Sequence, residues 1–238
     1  MKKPLVLASV ILSFALVASS CGSGGASDGT DTTVAATTTV ADDTTGVTPI
    51  PGSELSDALT GIQTATSLTV EESEALLWMR EEEKLAHDVY VTLGEQWSVR
   101  VFDNIASAEL THTDAVKALL DRYHLDDPVP DATVGVFRTK AFTDLYGSFV
   151  SEGSTSQLQA MVAGAKVEEL DIKDLQDRAT STPDIKLVFD NLEKGSRNHL
   201  RAFVRQIERL GGVYTPAYLD QSAYDSIIAG SMEPGIQG

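Results

Sequence analysis

The hydrophobic positions between residues 69 and 210 recur with a helical period. In four long runs, apolar side chains return at spacings of three, four and seven residues, which places them on one face of an α-helix. We predict helices at Thr69–Gln96, Arg100–Tyr123, Ser156–Ala179 and Pro183–Leu210. No stretch alternates apolar and polar residues convincingly as a half-buried strand does, so the pattern indicates an all-α fold.

Signals at the ends of these runs predict how the helices connect. Thr69, with Glu72 three residues later, is typical of a capping box. The link at Trp97–Ser98 is short, so we expect the first two helices to be antiparallel neighbours. The longer connection, residues 126–139, contains Pro and Gly and leads to a short predicted helix at Ala141–Ser151. We therefore predict a four-helix bundle with one long central crossover that carries a short extra helix.

Ionisable side chains interrupt the inward face of the first helix. Glu83 falls between Met79 and Ala86 on the apolar stripe. His87 and Tyr90 lie within about 60° of it on the helix surface. Burying an ionised carboxylate without a partner is costly, so a cation, a metal ion or polar groups of another helix must face Glu83. The alternative is that the acidic run around Glu83 forms a solvated face.

The second helix carries a carboxylate and an imidazole on its inward face. Glu109 and His112 are three residues apart, so both side chains project in the same direction. In a helix bundle this spacing allows the two side chains to bind one metal ion. The alternative is an exposed Glu109 beside a core histidine that is hydrogen-bonded to a neighbour.

The third and fourth helices contain similar interruptions. Glu168 and Asp171 are three residues apart in the middle of the third helix, with Glu169 beside them. Periodicity alone leaves open whether Glu168 or Glu169 points inward, and a polar shoulder is the alternative for the whole group. His199 occupies an inward position of the fourth helix, where the alternative is a histidine hydrogen-bonded within the core.

Taken together, the four interruptions predict one polar centre. Each long helix contributes one interruption near its middle, and independent accidents would not be expected to converge in this way. Carboxylates together with one or two imidazoles suit iron or manganese better than an ion that prefers thiolates. We therefore expect a metal site inside the bundle.

The first 21 residues have the pattern of a bacterial export signal. Two lysines precede a short apolar run, Leu5–Val17, which is too short to span a membrane. The segment that ends at Cys21 resembles the lipobox of bacterial lipoproteins, with Ala18 at a position where Leu is commoner. The resemblance implies that Cys21 is lipidated and anchors the protein to the outer face of the cell membrane. The alternative is an incidental thiol at the end of an ordinary cleaved signal peptide.

Composition divides the remainder of the chain into three parts. Residues 22–53 are rich in Thr, Gly, Ser and Asp and have too few large apolar side chains to fold, so we predict a disordered tether. Residues 54–224 form the predicted helical domain, and residues 225–238 are expected to be a loose tail. The chain has 18 Lys and Arg against 35 Asp and Glu, a net charge of −17, which argues against binding to nucleic acid.

Four strings of residues resemble one known family. They are Met79–Ala86, the segment from Asn104 to His112, Glu168–Leu175 and Gly195–Phe203. They resemble the ferritin-like family catalogued as domain of unknown function 2202, over roughly residues 67–218. The broader pattern is similar to that of ferritins and rubrerythrins, which are di-iron carboxylate bundles.

The resemblance implies a set of site residues. Two iron or manganese ions would be bound by Glu83, Glu109, His112, Glu168 and His199, with Asp171 as a sixth ligand. Tyr90 would hydrogen-bond a ligand carboxylate and pass electrons, and His87 would be either an extra ligand or the partner of one. Ferritin-type sites usually have a second Glu-x-x-His on the fourth helix. Here Ser196 stands three residues before His199, so Asp171 or Glu169 would have to fill the gap.

Three functions remain open from the sequence. The first is an oxidoreductase that reduces peroxide or dioxygen, or oxidises ferrous iron. The second is a metal-binding lipoprotein without turnover, and the third is a bundle that has lost its metals and pairs its polar residues with one another. The pairs Glu83–Tyr90 and Glu109–His112 favour the first, whereas Ser196 favours the other two. No pattern predicts an oligomeric state.

Overall fold

The computed structural model describes residues 52–129 and 131–235, and all regular secondary structure in these ranges is helical. The seven helices are α1 Gly52–Thr60, α2 Val70–Trp97, α3 Arg100–Arg122, α4 Lys140–Gly153, α5 Gln157–Asp177, α6 Pro183–Arg209 and α7 Gln221–Ala229. The all-α prediction is therefore confirmed for this part of the chain. The predicted export signal with Cys21, and almost all of the predicted tether, lie outside the described residues.

The four long predicted helices correspond to α2, α3, α5 and α6, with ends that agree within two residues. The capping box forms at the start of α2, where the Glu72 amide donates to Thr69 Oγ1 at 3.1 Å and the Thr69 amide donates to Glu72 Oε2 at 2.9 Å. The helix ends at Ser98, which adopts a left-handed φ of 54° and donates its N–H to Gly94. The predicted short helix is α4.

The long helices enclose a core that is divided into two apolar clusters. α2 packs against α3 and α5, and α6 packs against the same two helices. One cluster contains Met79 and Leu119, and the other contains Leu85 and Phe203. The α2 residues between Met79 and Leu85 are charged and nevertheless buried. A polar layer therefore separates the two halves of the core, and all four helices cross it.

The predicted loose tail from residue 225 is wrong as far as residue 235. α7 begins behind Asp220, whose side chain accepts from the Ala223 amide at 2.8 Å, and Ile227 of this helix is buried. After α7, Glu233 accepts hydrogen bonds from Arg197 on α6. The Gly and Ser content of this segment predicted a loose tail. Instead, Glu233 and the carbonyl of Ile227 accept hydrogen bonds from arginines of α6. At the other end, α1 was also not predicted.

Within the described part of the chain, no helix combines the length and the apolar character that a membrane span needs.

Candidate metal centre

The polar layer contains a compact group of ionisable side chains contributed by all four long helices. α2 provides Glu83, α3 provides Glu109 and His112, α5 provides Glu168, and α6 provides His199. None of the five is more than 1% exposed. The structure therefore brings together all five residues that head the predicted ligand set. We call this group the centre.

Glu109 lies in the middle of the centre, between the two imidazoles. Its Oε2 is 2.8 Å from Nδ1 of His112, and its Oε1 is 2.7 Å from Nδ1 of His199. Glu83 approaches His112 to 3.4 Å, and Glu168 approaches His199 to 3.5 Å. The centre thus consists of two half-sites, Glu83–His112 and Glu168–His199, which share the carboxylate of Glu109.

Several polar atoms of the centre have no hydrogen-bond partner. Neither ring nitrogen of His112 or His199 meets the geometry of a hydrogen bond, although carboxylate oxygens lie close by. Glu83 Oε1 is also unpartnered. Buried polar atoms are nearly always paired, and leaving one unpaired costs about 1–3 kcal/mol. Ligands of one metal ion, by contrast, lie about 3 Å apart and direct their lone pairs at the ion rather than at each other.

Charges inside the centre shift the pKa values of its members in opposite directions. Burial raises the pKa of Glu83 and that of Glu168 to about 7. Burial opposes protonation of the imidazoles, but Glu109 outweighs it and raises the pKa of His112 to about 10 and that of His199 to about 9. Burial likewise opposes ionisation of Glu109, but the two imidazoles hold its pKa below the ordinary value. Both imidazoles are therefore protonated at neutral pH, and their positive charge offsets the negative charge of the carboxylates.

Tyr90 lies against the Glu168 half-site. Its hydroxyl donates to Glu168 Oε1 at 2.5 Å, and the residue is fully buried. Burial and the charge of Glu168 raise the pKa of Tyr90 well above its ordinary value, so the phenol stays protonated as a donor. Tyr90 therefore orients the Glu168 carboxylate.

Asp171 and Ser196 contact each other instead of completing the ligand set. The Ser196 hydroxyl donates to Asp171 Oδ2, and Asp171 Oδ1 has no partner. Asp171 belongs to neither group of converging ligand atoms. Burial, followed by the charges of Glu83 and Glu82, raises the pKa of Asp171. Asp171 therefore lies beside the centre and not within it.

Two further alternatives from the sequence are decided by the structure. Glu168 faces the centre, whereas Oε2 of Glu169 accepts the backbone N–H groups of Ala217, Tyr218 and Leu219 at 2.7, 2.6 and 3.2 Å. His87 lies outside the centre, with its Nδ1 3.0 Å from Asp88 and a quarter of its side chain exposed. It is not placed to act as an extra ligand.

Gly195 on α6 lies against the centre, which the sequence did not predict. A Cβ atom there would lie 2.6 Å from Cε1 of His112, so only glycine leaves room for the imidazole. Glycine in the interior of a helix costs about 1 kcal/mol relative to alanine. A glycine in the middle of a helix, four residues before His199, could therefore have indicated that another side chain packs closely against the backbone here.

Comparisons with known proteins place the centre within a recognised domain. The sequence model described as "Uncharacterized protein domain (DUF2202)" matches residues 72–231. The chain is 48% identical over 171 residues to the uncharacterized protein MJ0754 of Methanocaldococcus jannaschii, covering 71% of this chain and 92% of that protein. The crystal structure of hypothetical protein MJ0754 from Methanococcus jannaschii matches with a TM-score of 0.70 and 47% identity, covering 72% of this chain and 99% of that chain.

Proposed function

The chain belongs to the family of DUF2202 domains, and from that premise we propose that it is a ferritin-like metal protein. In this proposal α2, α3, α5 and α6 are the four helices of a ferritin-like bundle, and the segment that contains α4 is its long crossover. The centre holds two iron or manganese ions. The observation that carries the proposal is the carboxylate of Glu109, shared by two half-sites whose ring nitrogens have no hydrogen bonds.

The residues present fit such ions. Three carboxylates and two imidazoles form a donor set that suits iron and manganese, and no cysteine is among them. Each half-site has one imidazole and one carboxylate of its own, and each shares Glu109 with the other. The unpartnered ring nitrogens and Glu83 Oε1 are the atoms that a cation would satisfy.

When bound, two ferrous ions supply one electron each for the reduction of dioxygen or peroxide. The side chains around them have separate tasks. Glu109 presents one oxygen to each half-site, and Tyr90 keeps Glu168 in its orientation through the 2.5 Å hydrogen bond. The apolar clusters above and below the centre exclude bulk water. We propose an oxidoreductase of the peroxidase or ferroxidase type, which the predicted signal and Cys21 would export and anchor at the outer face of the cell membrane.

The second candidate function is metal binding without turnover, as a lipoprotein that captures iron or manganese. It is favoured by Ser196, which takes the place of a carboxylate and holds Asp171 away from the centre. Fewer carboxylate ligands leave less negative charge to stabilise oxidised metal ions.

Elemental analysis tests these proposals. The protein is produced with iron and manganese available, beside Glu109→Ala and His199→Ala. His87→Ala is the matched control, because it removes an imidazole that lies outside the centre. We expect about two metal ions per chain in the wild type and the control, and a loss in both centre variants. Consumption of peroxide or dioxygen by the loaded protein then separates the first candidate from the second. A well-folded wild type without metal would contradict both.

A further inference from the structure

A line of acidic side chains leads from the centre toward the surface between α2 and α5. On α5, Glu168, Asp171 and Asp174 follow at intervals of three residues, and each interval is about 4.5 Å of helix rise. α2 runs antiparallel to α5, so that Tyr90 contacts Glu168 while Trp78 contacts Asp174 near the other end. The acidic line therefore follows one interhelical seam outward from the centre.

Two carboxylates in this line are buried without enough donors. Glu82 is 2% exposed and Asp171 is 4% exposed. Each has one oxygen in a hydrogen bond, Glu82 with Trp78 Nε1 and Asp171 with Ser196, and each has one oxygen without any partner. Buried carboxylate oxygens usually have a partner, so these two oxygens are available to contact an ion.

The line ends at Asp174, which is partly open to solvent. Its side chain is 16% exposed, accepts from Trp78 Nε1 at 2.7 Å and lies 3.6 Å from Arg178. Trp78 and Arg178 stack on each other and both line a surface cavity of about 1250 Å³. Asp174 therefore lies directly behind two residues of the cavity wall.

We propose that Asp174, Glu82 and Asp171 form an access route by which divalent metal ions pass from this cavity to the centre. The unpartnered oxygens of Glu82 and Asp171 form a transient binding site along the way. The inference rests on the proposed metal centre and names the path by which that centre is filled.

The spacing and chemistry of the route suit a small hard cation. A bare charge that crosses a protein interior needs compensating charge at each step. Carboxylate oxygens are the preferred ligands of such ions, and intervals of about 4.5 Å allow neighbouring carboxylates to share an ion with bonds of about 2.1 Å. Arg178 is the cation that contacts Asp174, so an arriving metal ion competes with its guanidinium.

The test measures loading rate and metal content separately. The metal-free full chain is mixed with Co²⁺ alone, and the rise of the visible absorption band is followed by stopped flow. Two variants, Asp174→Asn and Glu82→Gln, keep the shape of the route and remove charge. Arg178→Gln removes the competing cation. Asp121→Asn is the matched control, because this exposed carboxylate lies on α3, away from the seam.

We expect loading about tenfold slower in Asp174→Asn and Glu82→Gln, because local negative charge raises cation on-rates by about 10-fold or more. Loading should be faster in Arg178→Gln, and the control should match the wild type. Final metal content should be the same in all of them. Opposite effects of Asp174→Asn and Arg178→Gln would exclude a general loss of stability as the cause.

Full metal content with unchanged rates in both carboxylate variants would overturn the route and leave the metal centre intact. Reduced final metal content in Asp174→Asn would also overturn it, because that residue would then be a ligand or a structural group. A wild type that binds no Co²⁺ would overturn the proposed function and the route together.

Discussion

Buried carboxylates close together on the same helix have different surroundings in this protein. On α5, Glu168 faces the centre, while Glu169 accepts three backbone N–H groups from the segment after α6. On α2, Glu83 faces the centre, while Glu81 accepts from the amides of Arg138 and Thr139 at 2.7 and 3.0 Å. We call Glu81 and Glu169 the anchors, because each ties a connecting segment to a helix.

Burial does not distinguish the anchors from the centre, since all four carboxylates are at most 2% exposed. The difference lies in what surrounds their oxygens. The anchors receive fixed backbone donors, although Oε1 of Glu169 has no partner. The centre contains carboxylates and imidazoles that lack hydrogen-bond geometry between them. An unpartnered oxygen therefore supports the proposed metal site only where ligand atoms of other residues converge on it, as they do at Glu83 but not at Glu169.

The sharpest test of this comparison exchanges one atom in each of two adjacent residues. Glu168→Gln should abolish the stabilisation by the ion of its own half-site, which at 1,000 times the Kd is about 4 kcal/mol. That corresponds to about 8–16 °C in Tm for a domain of this size. Glu169→Gln should lower the unfolding free energy by about 2 kcal/mol through its weakened hydrogen bonds. It should keep the full metal-dependent shift. Thermal unfolding with Mn²⁺ and with EDTA measures both, and equal behaviour of the two variants would contradict the distinction.

The pH dependence of the metal-free protein probes the centre alone. The folded-state pKa values of His112 and His199, about 10 and about 9, exceed the ordinary value of 6.5. The folded state then binds more protons than the unfolded state between pH 6.5 and pH 10. The contribution of the two imidazoles to stability should therefore be complete below pH 6.5 and fall by at least about 1 kcal/mol as the pH rises to 10. Urea unfolding at several pH values measures this.

Metal binding should change this dependence, because ions displace the protons from the centre. Release of protons into a weakly buffered solution on addition of Mn²⁺ would show the exchange directly. The double variant His112→Asn with His199→Asn is the control and should lose the imidazole part of the pH slope and most of the proton release. An unchanged slope in the double variant would place its origin elsewhere.

Because Gly195 packs closely against His112, a substitution at Gly195 should disturb the centre although Gly195 is not one of its members. Gly195→Ala should displace the imidazole and reduce metal content. Overpacking should cost about 1–3 kcal/mol, of which about 1 kcal/mol is regained as helix propensity. Gly147→Ala on α4 is the control, because a Cβ there meets nothing within 4 Å and should slightly stabilise the protein. Metal content and urea unfolding are measured together, and full metal content in Gly195→Ala would contradict the steric argument.

The smallest expected effect concerns a third, more exposed carboxylate that holds a connecting segment. Hydrogen bonds from Arg197 lower the pKa of Glu233, whose side chain is 23% exposed. Its contribution to stability is present above the unfolded-state pKa and is lost as the pH falls through the folded-state pKa. Glu233→Gln should cost about 0.5–1 kcal/mol at pH 7 and much less at pH 3. Urea unfolding at both pH values measures it, and an equal loss at both would contradict the electrostatic cause.

Features that depend on neighbouring residues could be predicted from sequence, whereas contacts between distant residues could not. The capping box at Thr69 and the ends of the long helices depend on residues within a few positions of each other, so the sequence contained them. α1 and α7 were missed because each has only nine residues, and their burial depends on distant helices. The loose-tail prediction failed for the same reason, since Glu233 meets Arg197 across 36 positions of the chain.

For the centre, the sequence by itself determined the helical stripes, and these predict that Glu83, Glu109, His112 and His199 face inward. A period of 3.6 residues places them on the same stripes as their apolar neighbours, and that period is a local property of the chain. Only the tertiary structure decided between Glu168 and Glu169. Adjacent residues differ by about 100° around a helix, and here both Glu168 and Glu169 point into polar surroundings.

The tertiary structure also decided the composition of the centre. It attached Asp171 to Ser196, left His87 near the surface, and set His112 against Gly195. The contacts of Asp171 and His112 join residues on different helices, which meet only in the folded state. The exposure of His87 depends on which face of α2 the neighbouring helices cover. Local sequence carries the direction of a side chain, but the group that it meets is determined by how the helices pack.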